Sequence, residues 1–240
     1  MNKMTRFGIV ISTYRREDGN SPQFVERALN SIKQQTYQNY KVFLIGDKYE
    51  DSDEFQSFAK IIDSKQIYAE NLPVAMERDT YKDVLNLWCS GGLYAFNHGT
   101  ELAIKDGIDY IIRLDHDDWF EPTHLENFNE CINETGADFM FSKSTYLGKP
   151  EFPEISDNRK FIPQLPIPEG MVNSSHCMNC KTISLRSRNV FKETGRNYPS
   201  DADLWNRLRN YIPKNKLKSY LINEVTCNHE TEGYARTLKL

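Results

Sequence analysis

The stretch Tyr110-Ile111-Ile112-Arg113-Leu114-Asp115-His116-Asp117-Asp118-Trp119 decides the fold. A mostly apolar run leads straight into three carboxylates within four positions. Such a run fits a strand buried on both faces of a parallel sheet. In open α/β sheets, ligands bind at the carboxyl ends of the strands. Three carboxylates this close repel one another, which is tolerable on a solvated turn or where a divalent cation neutralises them. A polar turn that caps the next helix accounts for the cluster alone equally well. The buried strand before it and Trp119 after it favour a lined site.

Outward from this stretch, strand and helix patterns alternate. Phe7 to Ile11 is a continuous apolar run, and Tyr40 to Ile45 reads as a second strand. Between them Ser21 can cap a helix with Pro22 at its first position. That helix repeats Phe24, Val25, Ala28, Leu29 and Ile32 on one stripe. A further unit starts at Asp51-Ser52, with Phe55, Phe58, Ala59 and Ile62 on one face. A short strand is expected near Ile67-Tyr68, then a loop-rich or partly helical excursion to Gly92. Leu93 to Asp106 is expected to be helical with Gly107 at its end. After the acidic cluster, Pro122 is expected to open a helix that closes at Gly136, followed by a strand at Phe139-Met140-Phe141. Five of the ten prolines lie between Pro150 and Pro168, which predicts an extended crossing loop there. A strand over Thr182 to Leu185, helices around Val190 and over Asp201 to Tyr211, and a strand over Ser219 to Ile222 complete the chain. The order predicts an α/β class with a mostly parallel central sheet flanked by helices.

The length of 240 residues suits one large domain or two small ones. Lys plus Arg is 30 against 34 Asp plus Glu, a net charge of −4, which excludes a strongly basic nucleic-acid binder. The first apolar run is too short for a membrane span or a signal-peptide core, so a cytoplasmic protein without a transmembrane segment is the expectation. Five scattered cysteines argue against a disulfide framework. Asn133-Glu134-Thr135 and Asn173-Ser174-Ser175 match the glycosylation acceptor pattern, read as accidental without a secretory signal.

Two further strand ends join the acidic cluster on the same expected edge: Ser12-Thr13-Tyr14-Arg15-Arg16 and Gly46-Asp47. Hydroxyls, an aromatic ring, a cation and a carboxylate are the groups that hold a nucleoside. Tyr14 can stack on a base and Asp47 can accept its N–H. Singly, Tyr14 reads as a half-buried surface aromatic and Asp47 as a turn residue.

Taken together, the motifs resemble the inverting glycosyltransferases of family 2, which have the GT-A nucleotide-sugar-binding fold. Ile9 to Arg16 resembles the family's first strand and nucleoside loop. Ala28 to Tyr37 resembles its "SI..QT" helix end, Tyr110 to Asp118 the strand ending in the D-x-D motif, and Ser200-Asp201-Ala202-Asp203-Leu204-Trp205 its "ED.DLW" segment. The resemblance implies one GT-A domain over residues 1–240, with a donor half to about 118 and an acceptor half, carrying a C-terminal metal or phosphate loop, from about 119. It implies a UDP-sugar donor, a glycan acceptor and Mn²⁺ or Mg²⁺ as cofactor. By the same resemblance Asp117 is the metal ligand, Asp115 lies near the ribose or the metal, and His116 lines the donor pocket. Met76-Glu77-Arg78 resembles the spore-coat members of the family, where the arginine helps bind uridine. Asp201 is the implied general base, Asp203 the runner-up with a first-turn helix acid as its ordinary role, and His176 lies near the acceptor. Asn228 to Arg236 resembles the terminal loop, making His229 a second metal candidate and Arg236 a phosphate candidate.

Three departures stand out. Gly46 replaces the first of two aspartates, Ser200 replaces the acid before the base, and Asp63 to Gly92 is longer than usual. His176, Cys177 and Cys180, with Cys227 or His229, offer a zinc alternative. A non-catalytic nucleotide-sugar-binding module would fit Ser200. A sugar nucleotidyltransferase would need a glycine-rich loop, and Thr13 to Gly19 has one glycine.

Overall fold

The computed structural model describes residues 4–230. In chain order the elements are β1 (Phe7–Thr13), α1 (Ser21–Lys33), β2 (Tyr40–Gly46), α2 (Ser52–Phe58), β3 (Ile67–Asn71), α3 (Met76–Thr80), α4 (Val84–Ser90), α5 (Leu93–Lys105), β4 (Tyr110–Asp115) and β5 (Trp119–Phe120). Then come α6 (His124–Thr135), β6 (Phe139–Tyr146), β7 (Lys149–Phe152), β8 (Phe161–Pro163), a 3₁₀ turn (Asn173–Ser175), β9 (His176–Asn179), α7 (Val190–Thr194), α8 (Ser200–Lys214) and β10 (Ser219–Asn228).

One mixed sheet runs in the order β3-β2-β1-β4-β9-β6-β10-β5, with β7 on β6 and β8 on β10. The first four strands are parallel. β9 then inserts antiparallel between β4 and β6, and β10 returns parallel to β6. Both faces are covered, which is why β1, β2 and β4 read as unbroken apolar runs. On one face Ile9, Ile11, Ile112 and Leu114 pack with Val25, Leu29 and Phe128. On the other, Val10 and Ile111 pack with Phe96 and Ala103. A methyl group on Gly99 would meet Val10 Cγ1 at 2.6 Å, so α5 lies close on the sheet.

The chain leaves β1 toward β2 on one side and reaches β4 on the other. The strand order reverses at this point, which is where open α/β sheets bind ligands. Ser12 and Asp115 are register partners at that point.

Several local expectations are corrected. Asn20, not Ser21, stands at the N-cap of α1, and Ser21 Oγ instead accepts the Arg16 N–H at 2.8 Å. Pro122 lies ahead of α6, which begins at His124. The strand expected over Thr182 to Leu185 is absent. Ile183 and Leu185 pack into the cluster beneath α8 without joining a ladder. The ladder position is filled by β9, whose Cys177 pairs with both Ile112 and Met140. The proline-rich loop contributes two short strands, and β6 and β10 extend well past their expected ends. The excursion before α5 holds α3 and α4.

Candidate functional site

The candidate site is built from the ends of β1, β2 and β4, joined by hydrogen bonds to the 3₁₀ turn and the segment after β10. Thr13 is buried at the end of β1. Its carbonyl accepts the Asp47 N–H at 2.7 Å, and its Oγ1 lies 3.0 Å from His116 Nδ1. His116 is pushed down to about 4 by burial and by Arg16, so it stands neutral. Tyr14 faces the His116 ring at 5.4 Å and carries the Arg78 guanidinium over its own ring at 4.8 Å.

Arg78 comes from α3, inside the long excursion. Its Nε donates to Asp47 Oδ2 at 3.1 Å. Asp47 is fully buried, and its Oδ1 has no hydrogen-bond partner among the described residues. Burial raises its carboxyl above the ordinary range against the pull of Arg78. The site therefore holds a ready acceptor beside an aromatic ring. Gly46 is explained locally. A side chain there would collide with Asn71. The Asn71 amide closes the following turn, accepting from Tyr49 N at 2.8 Å and donating to Tyr49 O at 2.9 Å.

The three acids after β4 take different roles. Asp115 is gripped by Asn173 Nδ2 at 2.9 and 2.7 Å on its two oxygens, and by Arg113 Nε at 3.2 Å. Against burial, Arg113 and Asn173 hold it below the ordinary carboxylate range. Asp118 is fully buried. It accepts Ser174 Oγ at 2.5 Å, Glu230 N at 3.0 Å and His229 Nδ1 at 2.9 Å. Ser174 Oγ also accepts the Asp115 N–H at 2.9 Å, so one hydroxyl ties both acids together. Asp117 keeps 22% of its side chain exposed and meets Arg16 Nη1 at 3.4 Å. Burial, then Asp118 and Asp115, push its carboxyl up to about 7. Arg27 pins this turn, donating to Asp117 O at 2.6 Å and Glu230 Oε2 at 2.7 Å while lying over Trp119.

The donor set suits a divalent cation. Asp117 is partly exposed and meets Arg16 at 3.4 Å, longer than the other ion pairs of the site. His229 has Nδ1 fixed on Asp118, which orients the ring and leaves Nε2, an arrangement typical of a metal-bound histidine. Tyr146 stacks on that ring at 5.2 Å. Among the described residues no three His, Cys, Asp or Glu side chains form a complete metal centre. Among the described residues Asp117 and His229 would be the ligands, with water or substrate oxygens supplying the rest. The zinc alternative also lacks such a group. Cys177 and Cys227 lie in the apolar core, and all five cysteines are free.

Asp201 lies in the first turn of α8, with Ala202 N donating to its Oδ1 at 2.7 Å. Burial raises its carboxyl, Arg113 opposes this, and Asp115 adds to it. Asp201 thus shares an electrostatic environment with the β4 end. Asp203 points elsewhere. Arg188 holds both of its oxygens at 3.0 and 2.9 Å and Arg207 Nε one of them at 2.7 Å, so this first-turn acid is consumed in an ion-pair cluster. His176 is 1% exposed, packed between Phe139 and Trp205, and held down at about 4 by burial and Arg113. It lies beneath α8 rather than on an open acceptor surface. Ser12 lies against the start of α5, where a methyl group on Gly92 would meet its Oγ at 2.7 Å. Arg236 lies outside the described residues.

Sequence reading missed Asn173 and Ser174, Asp118 as distinct from Asp117, and Arg113. The one available signal was Arg113, a charge inside an apolar strand.

Fold and site together define an α/β protein with its polar side chains gathered at the strand ends, and comparison places it. Residues 8–195 match the glycosyl transferase family 2. Over 236 residues, 95% of each chain, the sequence is 37% identical to an uncharacterized glycosyltransferase of Acanthamoeba polyphaga mimivirus. The chain belongs to glycosyl transferase family 2 and is a glycosyltransferase. Its GT-A fold is shared with S. aureus TarS 1-349 in complex with UDP (TM-score 0.68, 12% identity, 95% of this chain and 61% of that one). It is also shared with the mannosyltransferase PcManGT from Pyrobaculum calidifontis in complex with GDP-Man and Mn²⁺ (TM-score 0.59, 13% identity, 98% and 60%). This chain therefore spans about 60% of the length of those two solved chains. Among the described residues no helix is long and apolar enough to cross a membrane.

Proposed function

We propose that the protein transfers a sugar from a UDP-sugar to a hydroxyl of a glycan acceptor, with inversion at the anomeric carbon. The observation that carries this is the unpartnered Asp47 Oδ1, set beside Tyr14 and Arg78 on the same sheet edge as Asp115 and Asp117. Asp47 accepts the imide N–H of uracil, and Tyr14 stacks on the ring. TarS is also solved with UDP-GlcNAc, which supports a uridine donor.

Mn²⁺ or Mg²⁺, held by Asp117 and His229, would neutralise charge developing on the leaving diphosphate. Asp115 orients the donor. Asp201 takes the acceptor proton as the hydroxyl oxygen attacks the anomeric carbon and the bond to the diphosphate breaks.

Asp47→Ala is expected to weaken UDP binding roughly tenfold to hundredfold, the cost of one hydrogen bond to a charged group, and to erase preference over GDP. Calorimetry with each nucleotide checks this; unchanged UDP affinity would remove Asp47 from the base pocket.

Cation affinity is expected to rise with pH. Burial with Asp118 and Asp115 holds a proton on Asp117 up to about 7. Burial opposes a proton on His229, but Asp118 wins and raises it to about 9. A cation must displace these protons. Mn²⁺ titrations in the presence of UDP should tighten between about pH 6 and 8.5; a flat profile would place the cation elsewhere.

A further inference from the structure

Arg113 sits two residues before Asp115 in a strand that is otherwise hydrophobic up to that aspartate, and it is 7% exposed. It leaves β4 on the side covered by α5, with its guanidinium 4.3 Å from the Phe96 ring centroid. One edge is used, since Nε donates to Asp115 Oδ1 at 3.2 Å. The other is not. Nη1 is buried and has no hydrogen-bond partner among the described residues. A buried guanidinium N–H left unpaired carries its full desolvation cost. Holding Asp115 does not require this, because Asn173 already bonds both of its oxygens. Packing on Phe96 does not require it either, because an apolar residue of similar size packs as well at no such cost.

The location narrows what the free N–H is for. The charge of Arg113 acts on Asp115, on Asp201 and on His176, so the guanidinium is within electrostatic reach of both the donor-side and the base-side carboxylates. In an in-line displacement the sugar ring lies between the leaving diphosphate and the base. We propose that Arg113 reads the donor sugar: Nη1 donates a hydrogen bond to a hydroxyl or carbonyl oxygen of the transferred ring and discriminates between donors that differ there. This rests on the donor reading above and names its specificity-determining residue. Asp47 and Tyr14 would hold the nucleotide, and Arg113 the part that distinguishes one UDP-sugar from another.

The test compares UDP with UDP-sugars. Wild type, Arg113→Lys and Arg113→Met are titrated, with Mn²⁺, against UDP and against UDP-hexoses epimeric at single hydroxyls. UDP affinity is expected to stay within twofold in both variants. The favoured UDP-sugar is expected to lose about tenfold to hundredfold, with a narrowed margin between epimers. The lysine variant keeps a cation beside Asp115, so it serves if the methionine variant fails to fold. Equal weakening of UDP and UDP-sugar would show that Arg113 only supports Asp115, and unchanged UDP-sugar affinity would remove it from the pocket; either overturns the proposal. Wild type that binds no UDP would instead overturn the donor reading itself.

Discussion

Asp201→Asn is expected to lower the rate of sugar transfer by about 10²- to 10⁴-fold while leaving donor affinity within about threefold of wild type. The substitution keeps the shape and removes only the capacity to take a proton. Asp201 occupies the first turn of α8, where the helix dipole favours a carboxylate. Several groups act on it from other elements. Arg113 and Asp115 act from β4, and the Cys89 thiol and the Tyr146 hydroxyl are coupled to it from α4 and β6. Burial outweighs Arg113, so the carboxyl titrates above the ordinary range. A base whose pKa is raised toward the working pH is more effective once ionised. The same shift sets the direction of the pH profile. With Asp201 as the base, transfer needs the ionised form, so the rate is expected to fall as pH drops through the raised pKa. Single-turnover transfer rates and donor titrations, run in parallel across pH, separate chemistry from binding. A variant that transfers at near wild-type rate would show that another group accepts the proton.

The parts of this reading visible in the sequence are those fixed by local pattern. β1, β2 and β4 were legible because strands buried on both faces must be apolar throughout, and their carboxyl ends collected Thr13, Asp47 and Asp115 at one edge. β9 was not, because four residues inserted between β4 and β6 owe their pairing to neighbours far away in sequence rather than to their own pattern. The same limit hid the site's scaffold. Asn173 and Ser174 look like an ordinary polar turn until the fold carries them onto Asp115 and Asp118. Asp203 was ambiguous beside Asp201 because the deciding partners, Arg188 and Arg207, approach from outside the first turn.

Asp117 and Asp118 are adjacent in sequence, and their substitutions are expected to have opposite consequences for stability. Asp118→Asn removes a buried charge on which Ser174, His229 and Glu230 converge. The amide cannot accept at both positions, and His229 loses its counter-charge. Breaking a buried pair of this kind costs about 3 kcal/mol or more, which for a chain of this size lowers Tm by roughly 6–12 °C. Loss of the carboxylate that orients His229 is expected to weaken Mn²⁺ binding about 10- to 100-fold as well. Asp117→Asn should also lose Mn²⁺, through loss of the ligand itself, but without the stability cost. The sign follows from linkage. The Asp117 carboxyl is raised to about 7 by burial and by Asp118 and Asp115. The folded state therefore holds that proton more tightly than the unfolded chain, and stability drains away as pH rises from the ordinary carboxylate range through about 7. Replacing the carboxylate removes the drain, so metal-free Asp117→Asn should melt at or above the wild-type temperature near pH 8. Thermal unfolding of both variants with and without Mn²⁺ makes the comparison directly. A metal-free Asp117→Asn that melts well below wild type would mean that the carboxylate is structural, and would shift the cation-holding role toward Asp118.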